Sequence, residues 1–389
     1  MQVLSSKIRI VFSISSNLRE WAGMEHVLYE FVKYAPDDFD ITIFEPLHAL
    51  QTRVSEEFLF EKFSKCKIIK FDDNLIKFNF LRDNPFLNVF YEMVVVPFVS
   101  FLSNKFNYFA YAKSSPYPDL IYCFNSDRIP IKGKRKVGSP LIVGSEHGWS
   151  FRQFNKFKAI QNKLIQIGLM FKKIDLYHLF PSEDYLLLQG VKGFVLTNGI
   201  DTGKFQAGKR DPGKLRVIFF ARLEECKGLP LVLKVWDQIK QAPEVEMWIV
   251  GSGSLNKEVL SVERPNFKYL GFVDEEELPD IIGSCDVFIY PSTCDNFSLV
   301  TLQALSSGLL VLTNSDIDKN FQDFVEINQL VVVENTYESY LIELQKVVQK
   351  GISFEKGRSK EILANKYEWS NIVLRLYEIL RKEVKRPLN

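Results

Sequence analysis

Short runs of apolar residues alternate along the whole chain with longer segments in which apolar residues recur every three to four positions. The short runs predict β-strands, and the longer segments predict amphipathic helices. Alternation of this kind is typical of a parallel sheet that is covered by helices. Strands are predicted at 8–14, 40–44, 66–71, 120–124, 141–143, 176–180, 193–196, 216–221, 246–250, 267–272, 286–290, 309–312 and 330–333.

Turn-forming residues dominate the segment 198–213, where residues suited to a core are scarce. We expect this segment to link two domains, and a chain of 389 residues is also about two domains long. The predicted fold class is α/β, with one doubly wound Rossmann-like domain at 1–200 and a second at 201–366. Ligands of such sheets bind at the carboxyl ends of the strands, so we expect the two domains to face a central cleft.

Two basic residues and three glycines follow consecutive strands of the second domain. Arg222 and Lys227 stand on the loop after the first of these strands. A guanidinium offers a planar array of donors and an ammonium acts as a point charge, so the pair suits a diphosphate. The alternative is that both are solvated surface residues. Gly251, Gly253 and Gly271 follow the next two strands, where glycine would let the backbone approach a ligand closely.

A polar turn and a helix follow the strand predicted at 286–290. Asp295 stands before this helix, and Gln303 lies inside it, about two turns on. The unpaired N–H groups of the first turn would face a ligand above the sheet. The residues expected at this helix start are Asn296, Phe297, Ser298 and Leu299. The simpler alternative is an ordinary strand–helix unit in which Asp295 caps the helix. Convergence of these groups on one edge favours a bound nucleoside diphosphate.

Motifs along nearly the whole chain resemble those of a known family, the retaining GT-B glycosyltransferases of glycosyltransferase family 4, also called group 1. The motifs are specific only when they are taken together, because each motif alone is weak evidence. The matching positions are Gly23-Met24-Glu25, Ser145-Glu146-His147-Gly148, Asn198-Gly199, Arg222 with Lys227-Gly228, Gly251 with Gly253, Tyr269-Leu270-Gly271, Pro291-Ser292, Asp295 with Gln303, and Tyr367 to Tyr377.

The resemblance implies roles for residues of the second domain. Arg222 and Lys227 would bind the donor diphosphate and neutralise charge as it departs, and the helix start would add its dipole to the same phosphates. Asp295 would hold hydroxyls of the transferred sugar, and Gln303 would bind the ribose. The donor would be a nucleoside-diphosphate sugar of the UDP or GDP type. No cofactor and no metal are expected, because cations of the protein stand in for one.

The resemblance also implies roles for the first domain and the C-terminal segment. His147 would reach the sugar from the N-terminal domain, where Gly23 would also lie against the donor. The segment 367–389 would form a helix that crosses back to the N-terminal domain. The reaction expected is metal-independent transfer of a sugar, with retained anomeric configuration, to a carbohydrate or lipid-linked acceptor.

Two departures from the family pattern bear on activity. The family usually has Glu at both acidic positions, where this chain has Asp295 and Gln303, although Gln still hydrogen-bonds hydroxyls. The glycine pair usual after Thr313 is missing, and Asp316 and Asp318 stand nearby. These two carboxylates suggest a metal site. We do not adopt this hypothesis, because two carboxylates in a phosphate-facing loop would need a cation of their own.

The alternative function is a non-catalytic GT-B partner subunit that binds nucleotide or glycan without turnover. An epimerase of the same architecture is a further alternative, although the additional carboxylates and His that it needs at the cleft are not evident.

Charge and cysteine usage add expectations about location. The formal net charge is +1 at pH 7, and we expect no nucleic-acid partner. Six basic and no acidic residues lie in 152–173 among apolar ones, a pattern that fits a helix on an anionic membrane surface. The alternative is a solvated helix face. The apolar stretch 86–101 is too short to span a bilayer. We expect a cytoplasmic protein that docks peripherally on the inner face of the membrane. Its five unpaired cysteines are expected to be buried, reduced thiols.

Overall fold

A computed structural model describes residues 7–14, 16–21, 23–47, 52–71, 117–124, 139–145, 174–188, 190–239, 244–295 and 297–386. The chain divides into two compact units. The first comprises residues 1–196 and 373–389, and the second comprises residues 197–372. Each unit is built on one parallel β-sheet with helices between its strands.

The sheet of the first unit has seven strands in the order β3-β2-β1-β4-β5-β6-β7. The order reverses beside β1, which is the arrangement of a doubly wound sheet. The strands are β1 (Ile8–Ser13), β2 (Phe39–Pro46), β3 (Lys67–Phe71), β4 (Leu120–Cys123), β5 (Leu141–Gly144), β6 (Leu176–Leu179) and β7 (Gly193–Val195). The described helices of this unit include α1 (Gly23–Lys33), α2 (Glu56–Lys62) and α3 (Tyr185–Leu188), with short 3₁₀ turns at Leu18–Glu20 and Pro181–Glu183.

The sheet of the second unit has six strands in the order β10-β9-β8-β11-β12-β13, and it reverses beside β8. Its strands are β8 (Leu215–Phe220), β9 (Val245–Val250), β10 (Phe267–Gly271), β11 (Val287–Tyr290), β12 (Leu310–Thr313) and β13 (Leu330–Val332). Its helices are α4 (Leu229–Gln238), α5 (Asn256–Leu260), α6 (Leu278–Gly283), α7 (Leu299–Ser306), α8 (Gln322–Glu326), α9 (Tyr337–Lys350) and α10 (Lys356–Ile362), with 3₁₀ turns at Glu225–Lys227 and Asp318–Asn320 and a π turn at Leu363–Tyr367.

Every described strand lies within two residues, at each end, of a strand predicted from the sequence. The predictions hold because the central strands are buried on both faces and therefore read as continuous apolar runs. All residues of β4, β5, β11 and β12 are buried, for example. The α/β class with two Rossmann-like domains is confirmed.

The last helix, α11 (Trp369–Val384), contributes its residues from 373 onward to the first unit. Two polar contacts fix it there. The hydroxyl of Tyr377 donates to the carbonyl of Phe31 at 3.1 Å, and Arg381 forms two bonds of 2.8 and 2.9 Å with the carboxylate of Asp38. The ring of Tyr377 also packs edge-on against Phe39. The C-terminal helix therefore packs on the N-terminal domain, as predicted.

A buried histidine links two strands of the first unit. The carbonyl of Leu196 can only accept, so Nε2 of His178 carries the proton and donates to it at 2.9 Å. Nδ1 then accepts from the hydroxyl of Tyr122 at 2.5 Å. The imidazole stacks on Phe194, and burial lowers its pKa to about 4. His178 is thus held as a neutral structural group.

We predict that this histidine makes the first unit acid-sensitive. Unfolded histidine has a pKa of about 6.5, so between that pH and pH 4 the unfolded chain binds a proton that the folded chain excludes. The contribution to stability is complete above pH 6.5 and is lost as pH falls, by about 3 kcal/mol in total. In calorimetric unfolding across this range, His178→Gln should be less stable but should lose less stability on acidification than wild type. Parallel curves for the two proteins would contradict this role.

Candidate functional site

The loops that follow β8, β9, β10 and β11 leave the same edge of the second sheet, because all four strands are parallel. Backbone hydrogen bonds join neighbouring loops into one surface. The bonds run from Leu223 N to Ser252 O at 3.0 Å, from Gly251 N to Gly271 O at 2.7 Å, and from Thr293 N to Cys226 O at 2.9 Å. The carboxyl edge of this sheet therefore brings together the loops that carry most of the predicted site residues.

The glycines of this edge are required by the packing of the loops on each other. A Cβ on Gly251, which has φ 128°, would lie 1.9 Å from the carbonyl oxygen of Ala221. A Cβ on Gly253 would lie 2.5 Å from the carbonyl oxygen of Leu223. Close approach between the β8 and β9 loops is thus a sufficient reason for both glycines, whereas the sequence suggested approach to a ligand. Gly271 has φ 69°, a conformation that itself favours glycine.

The centre of the edge is a carboxylate held by three donors. Nζ of Lys227 lies 2.6 Å from Oδ1 of Asp295. Oδ2 of the same carboxylate accepts from the hydroxyl of Tyr290 and from Oγ of Ser292, each at 2.6 Å. We call these four residues the carboxylate pocket. The pocket joins the end of β11 to the loop after β8.

Electrostatics fix the ionisation state of the carboxylate pocket. Burial alone would raise the pKa of Asp295, but the charge of Lys227 and the three hydrogen bonds outweigh burial and lower it. Burial alone would lower the pKa of Lys227, but its surroundings, with Tyr290 and Asp295, raise it. Burial and the Asp295 charge raise the pKa of Tyr290 well above its usual value. The pocket therefore contains a carboxylate, an ammonium and a neutral phenol at neutral pH.

The two cations predicted as a diphosphate clamp differ in their surroundings. The side chain of Arg222 is 56% exposed and binds Glu224 at 2.9 Å. The side chain of Lys227 is only 9% exposed and is paired with Asp295. Lys227 thus turns inward to neutralise the Asp295 carboxylate, which is itself 17% exposed, and the joint role of the two cations toward a diphosphate stays a prediction. Arg222 alone of the two presents its charge mainly to solvent.

Helix α7 begins at Leu299, and its cap is Ser298. Oγ of Ser298 accepts from the backbone N–H of Thr301 at 3.2 Å. This geometry excludes the alternative in which Asp295 caps the helix. Phe297 is buried and packs on Phe321, with ring centroids 5.1 Å apart. Gln303 lies half-buried inside α7.

Asn296 and His147, predicted from the sequence as site residues, lie outside the described residues, as does the basic segment 152–173. Gly23 is the exposed first residue of α1 in the first unit. Glu25, two residues on, is buried and accepts a hydrogen bond from Ser16. The role of Gly23 toward a donor stays a prediction.

The described residues contain neither a metal-binding cluster nor a membrane-spanning helix. No group of three or more His, Cys, Asp or Glu side chains among them could hold a metal ion. Asp316 and Asp318 lie in the loop after β12, where the backbone N–H of Asp316 donates to Asn314. None of the described helices combines the length and apolar character that are needed to cross a membrane.

Sequence reasoning missed the roles of Tyr290 and Ser292. Tyr290 is the last residue of an apolar strand, and a buried phenol there needs a partner for its hydroxyl. Ser292 was noted as part of a motif without a role. A polar group at the end of a buried strand, followed within five residues by a carboxylate, was the available signal. The contact between Cys226 and Cys294 was also missed, because the two cysteines are far apart in the sequence.

Part of the second unit is similar to a known family. Residues 214–350 match the family model described as "Glycosyl transferases group 1". An uncharacterised glycosyltransferase of Methanocaldococcus jannaschii is 27% identical over 177 residues, which are 42% of this chain and 44% of that protein. A phosphatidyl-myo-inositol mannosyltransferase of Propionibacterium freudenreichii is 26% identical over 199 residues, 47% of this chain and 49% of that protein. The chain thus spans less than half the length of these relatives.

Structural similarity extends over nearly the whole chain. The crystal structure of Anabaena HepE in complex with UDP-glucose superposes with a TM-score of 0.64 and 15% identity, covering 96% of this chain and all of that one. This likeness concerns the fold. It agrees with the GT-B architecture of two Rossmann-like domains that the sequence predicted.

We predict strong energetic coupling inside the carboxylate pocket. Lys227→Met leaves the Asp295 carboxylate without its counter-charge, and such losses cost about 3 kcal/mol of unfolding free energy. In a double-mutant cycle followed by urea unfolding, Asp295→Asn should recover part of that loss, since it removes the stranded charge. The pair Lys366–Asp323 has the same 2.6 Å separation but a Lys side chain that is 58% exposed, so it serves as the control. Its cycle should yield about 1 kcal/mol or less. Additive losses at Lys227 and Asp295 would contradict the pairing.

Proposed function

We propose that this chain, whose residues 214–350 match the family model of the group 1 glycosyltransferases, transfers a sugar from a nucleoside-diphosphate sugar to a carbohydrate or lipid-linked acceptor. The transfer retains the anomeric configuration and needs no metal. The observation that carries the proposal is the carboxylate pocket, an ionised Asp295 fixed beside Lys227 at the carboxyl edge of a parallel sheet. Ligands of doubly wound sheets bind at this edge.

The diphosphate of the donor lies between Arg222, Lys227 and the start of α7. Arg222 supplies a solvent-facing guanidinium, and the first N–H groups of α7 add a favourable dipole for an anion. Lys227 shares its ammonium between Asp295 and the departing phosphate oxygens. As the glycosidic bond to phosphate breaks, these groups stabilise the negative charge that develops on the leaving group.

Asp295 acts on the sugar. Its carboxylate accepts hydrogen bonds from sugar hydroxyls, and its charge stabilises the positive charge that builds at the anomeric carbon. Tyr290 and Ser292 occupy Oδ2, so they fix the orientation of the carboxylate. The lowered pKa of Asp295 supports this role because the group stays ionised at neutral pH. We therefore favour catalysis over a non-catalytic partner subunit, because an ionised carboxylate stabilises the positive charge that develops only during transfer.

The nucleoside is recognised at the neighbouring loops. Gln303 binds ribose hydroxyls as donor and acceptor where the family usually has a carboxylate. The glycine loops at Gly251, Gly253 and Gly271 border the same edge. The nucleotide is UDP or GDP, and the UDP-glucose complex of HepE supports the UDP assignment by analogy of fold. The roles of His147 and Gly23 toward the sugar stay predictions from the sequence.

The acceptor is a glycan or a lipid-linked glycan, and the protein works at the cytoplasmic face of an anionic membrane. The six basic residues of 152–173 supply the attraction. The printed name of the Propionibacterium relative, a phosphatidyl-myo-inositol mannosyltransferase, supports a lipid acceptor. Peripheral docking of this kind brings a lipid-linked acceptor to a site that is otherwise in water.

We predict that Arg222 binds the diphosphate and not the nucleoside. Arg222→Gln should weaken UDP or GDP binding about tenfold, because one charge-assisted hydrogen bond contributes about 1.5–3 kcal/mol. Binding of uridine or guanosine should not change in this variant. Arg264→Gln is the matched control, since Arg264 pairs with Asp237 and precedes β10, at the opposite edge of the sheet. Isothermal titration calorimetry measures the affinity of each protein for the diphosphate and for the nucleoside. Unchanged diphosphate affinity in Arg222→Gln would overturn the assignment.

We predict salt-sensitive membrane binding through 152–173. The protein should sediment with anionic phosphatidylglycerol vesicles but not with neutral phosphatidylcholine vesicles, and high salt should release it. Changing Lys156, Lys158 and Lys163 to Glu should abolish sedimentation, whereas the same change at Lys346, Lys350 and Lys356 on the second unit should not. If wild type stays in the supernatant with anionic vesicles at low salt, the segment is a solvated face and the acceptor is soluble.

A further inference from the structure

Two cysteines meet beside the carboxylate pocket. Sγ of Cys226 lies 2.6 Å from Sγ of Cys294, closer than two unbonded thiols normally pack. Cys226 immediately precedes Lys227, and Cys294 immediately precedes Asp295. The cysteine contact therefore links the same two loops that the ion pair joins.

The fold itself keeps these sulfur atoms together. Their loops follow β8 and β11, which are adjacent in the sheet. The carbonyl of Cys226 accepts from the backbone N–H of Thr293 at 2.9 Å and lies 3.5 Å from Oγ of Ser292. Two thiols held by neighbouring backbone in this way need little movement to form a bond.

We propose that Cys226 and Cys294 are a redox modification site, at which a peroxide converts the two thiols into a disulfide that ties the Lys227 loop to the Asp295 loop. The sequence alone predicted reduced, buried thiols without partners. Bond formation does not depend on the proposed transferase activity. Only its effect on donor binding rests on that proposal.

The chemistry needs one equivalent of peroxide. The Cys294 thiolate attacks one oxygen of hydrogen peroxide, the O–O bond breaks, and a sulfenic acid and one water form after proton transfer. The sulfur of Cys226 then attacks the sulfenic sulfur, the S–O bond breaks, and a second water leaves. Two thiols are oxidised, one peroxide is reduced, and both thiol protons end in water.

The surroundings favour Cys294 as the attacking thiol. A hydrogen bond with Cys226 and the charge of Lys227 lower the pKa of Cys294 below that of an ordinary thiol, which favours its thiolate. Burial raises the pKa values of Cys66 and Cys285 to about 12. Cys226 is half-buried, which gives a small oxidant a path to the pair. The oxidation should therefore be selective within the chain.

The disulfide would restrain the donor site. In the present arrangement Lys227 is bound to Asp295 and Cys294 is 8% exposed. A covalent link between the preceding residues holds both side chains in this arrangement. Lys227 then remains neutralised by Asp295, and the donor diphosphate loses part of the positive charge that it needs.

The first test is covalent and independent of function. After treatment with hydrogen peroxide and blocking of remaining thiols, mass spectrometry of the proteolysed protein should find a Cys226–Cys294 peptide pair that dithiothreitol separates. Cys285→Ser should give the same pair, whereas Cys226→Ser and Cys294→Ser should not. Absence of the pair in folded wild type and in Cys285→Ser, with the other peptides detected, would overturn the proposal.

The second test measures the consequence for binding. Oxidised wild type should bind UDP or GDP about tenfold more weakly than reduced wild type, and dithiothreitol should restore the affinity. Cys226→Ser treated with the same peroxide should show no such change. Equal affinities of fully oxidised and reduced wild type would contradict the proposed effect of the disulfide on donor binding. The disulfide itself would then stand on the first test alone. Absence of nucleotide binding in the reduced protein would instead overturn the proposed function.

Discussion

The buried ion pair between Lys227 and Asp295 is the interaction on which the second unit's functional edge depends. It joins the loop after β8 to the loop after β11 across a separation of 2.6 Å. Desolvating two charges is costly, and the pocket offsets this cost with two further hydrogen bonds to the carboxylate. Replacing a pair of this kind by apolar residues of similar volume is often neutral or even stabilising, so stability alone does not account for the charges.

The rest of the edge is organised around this pair. The parallel order of β10-β9-β8-β11 sends four loops to one side, and glycines at 251 and 253 let adjacent loops pack backbone against backbone. Ser298 caps α7, so this helix begins at Leu299, shortly after Asp295 in the sequence. An anionic ligand at this edge would meet a guanidinium, an ammonium and a helix N-terminus together.

The sequence predicts the fold well because buried parallel strands are continuous apolar runs, and each described strand was found within two residues. It also predicts which loops lie at one edge, since the carboxyl ends of parallel strands meet there. It does not predict that Lys227 turns inward to Asp295, because the two residues are 68 positions apart and their contact depends on which strands are neighbours. The contact between Cys226 and Cys294 cannot be predicted from the sequence for the same reason. The packing of Gly251 against Ala221 could not be predicted either, because a sequence does not show which backbone lies opposite.

The central claim is that Asp295 serves sugar transfer and not nucleotide binding. The most direct measurement compares wild type with Asp295→Asn in two assays on the same panel of UDP- and GDP-sugars. Calorimetry reports donor affinity, and release of nucleoside diphosphate reports cleavage of the sugar–phosphate bond. The account predicts that the variant binds its donor with affinity close to wild type but releases nucleoside diphosphate far more slowly. Equal release rates in the two proteins would contradict it.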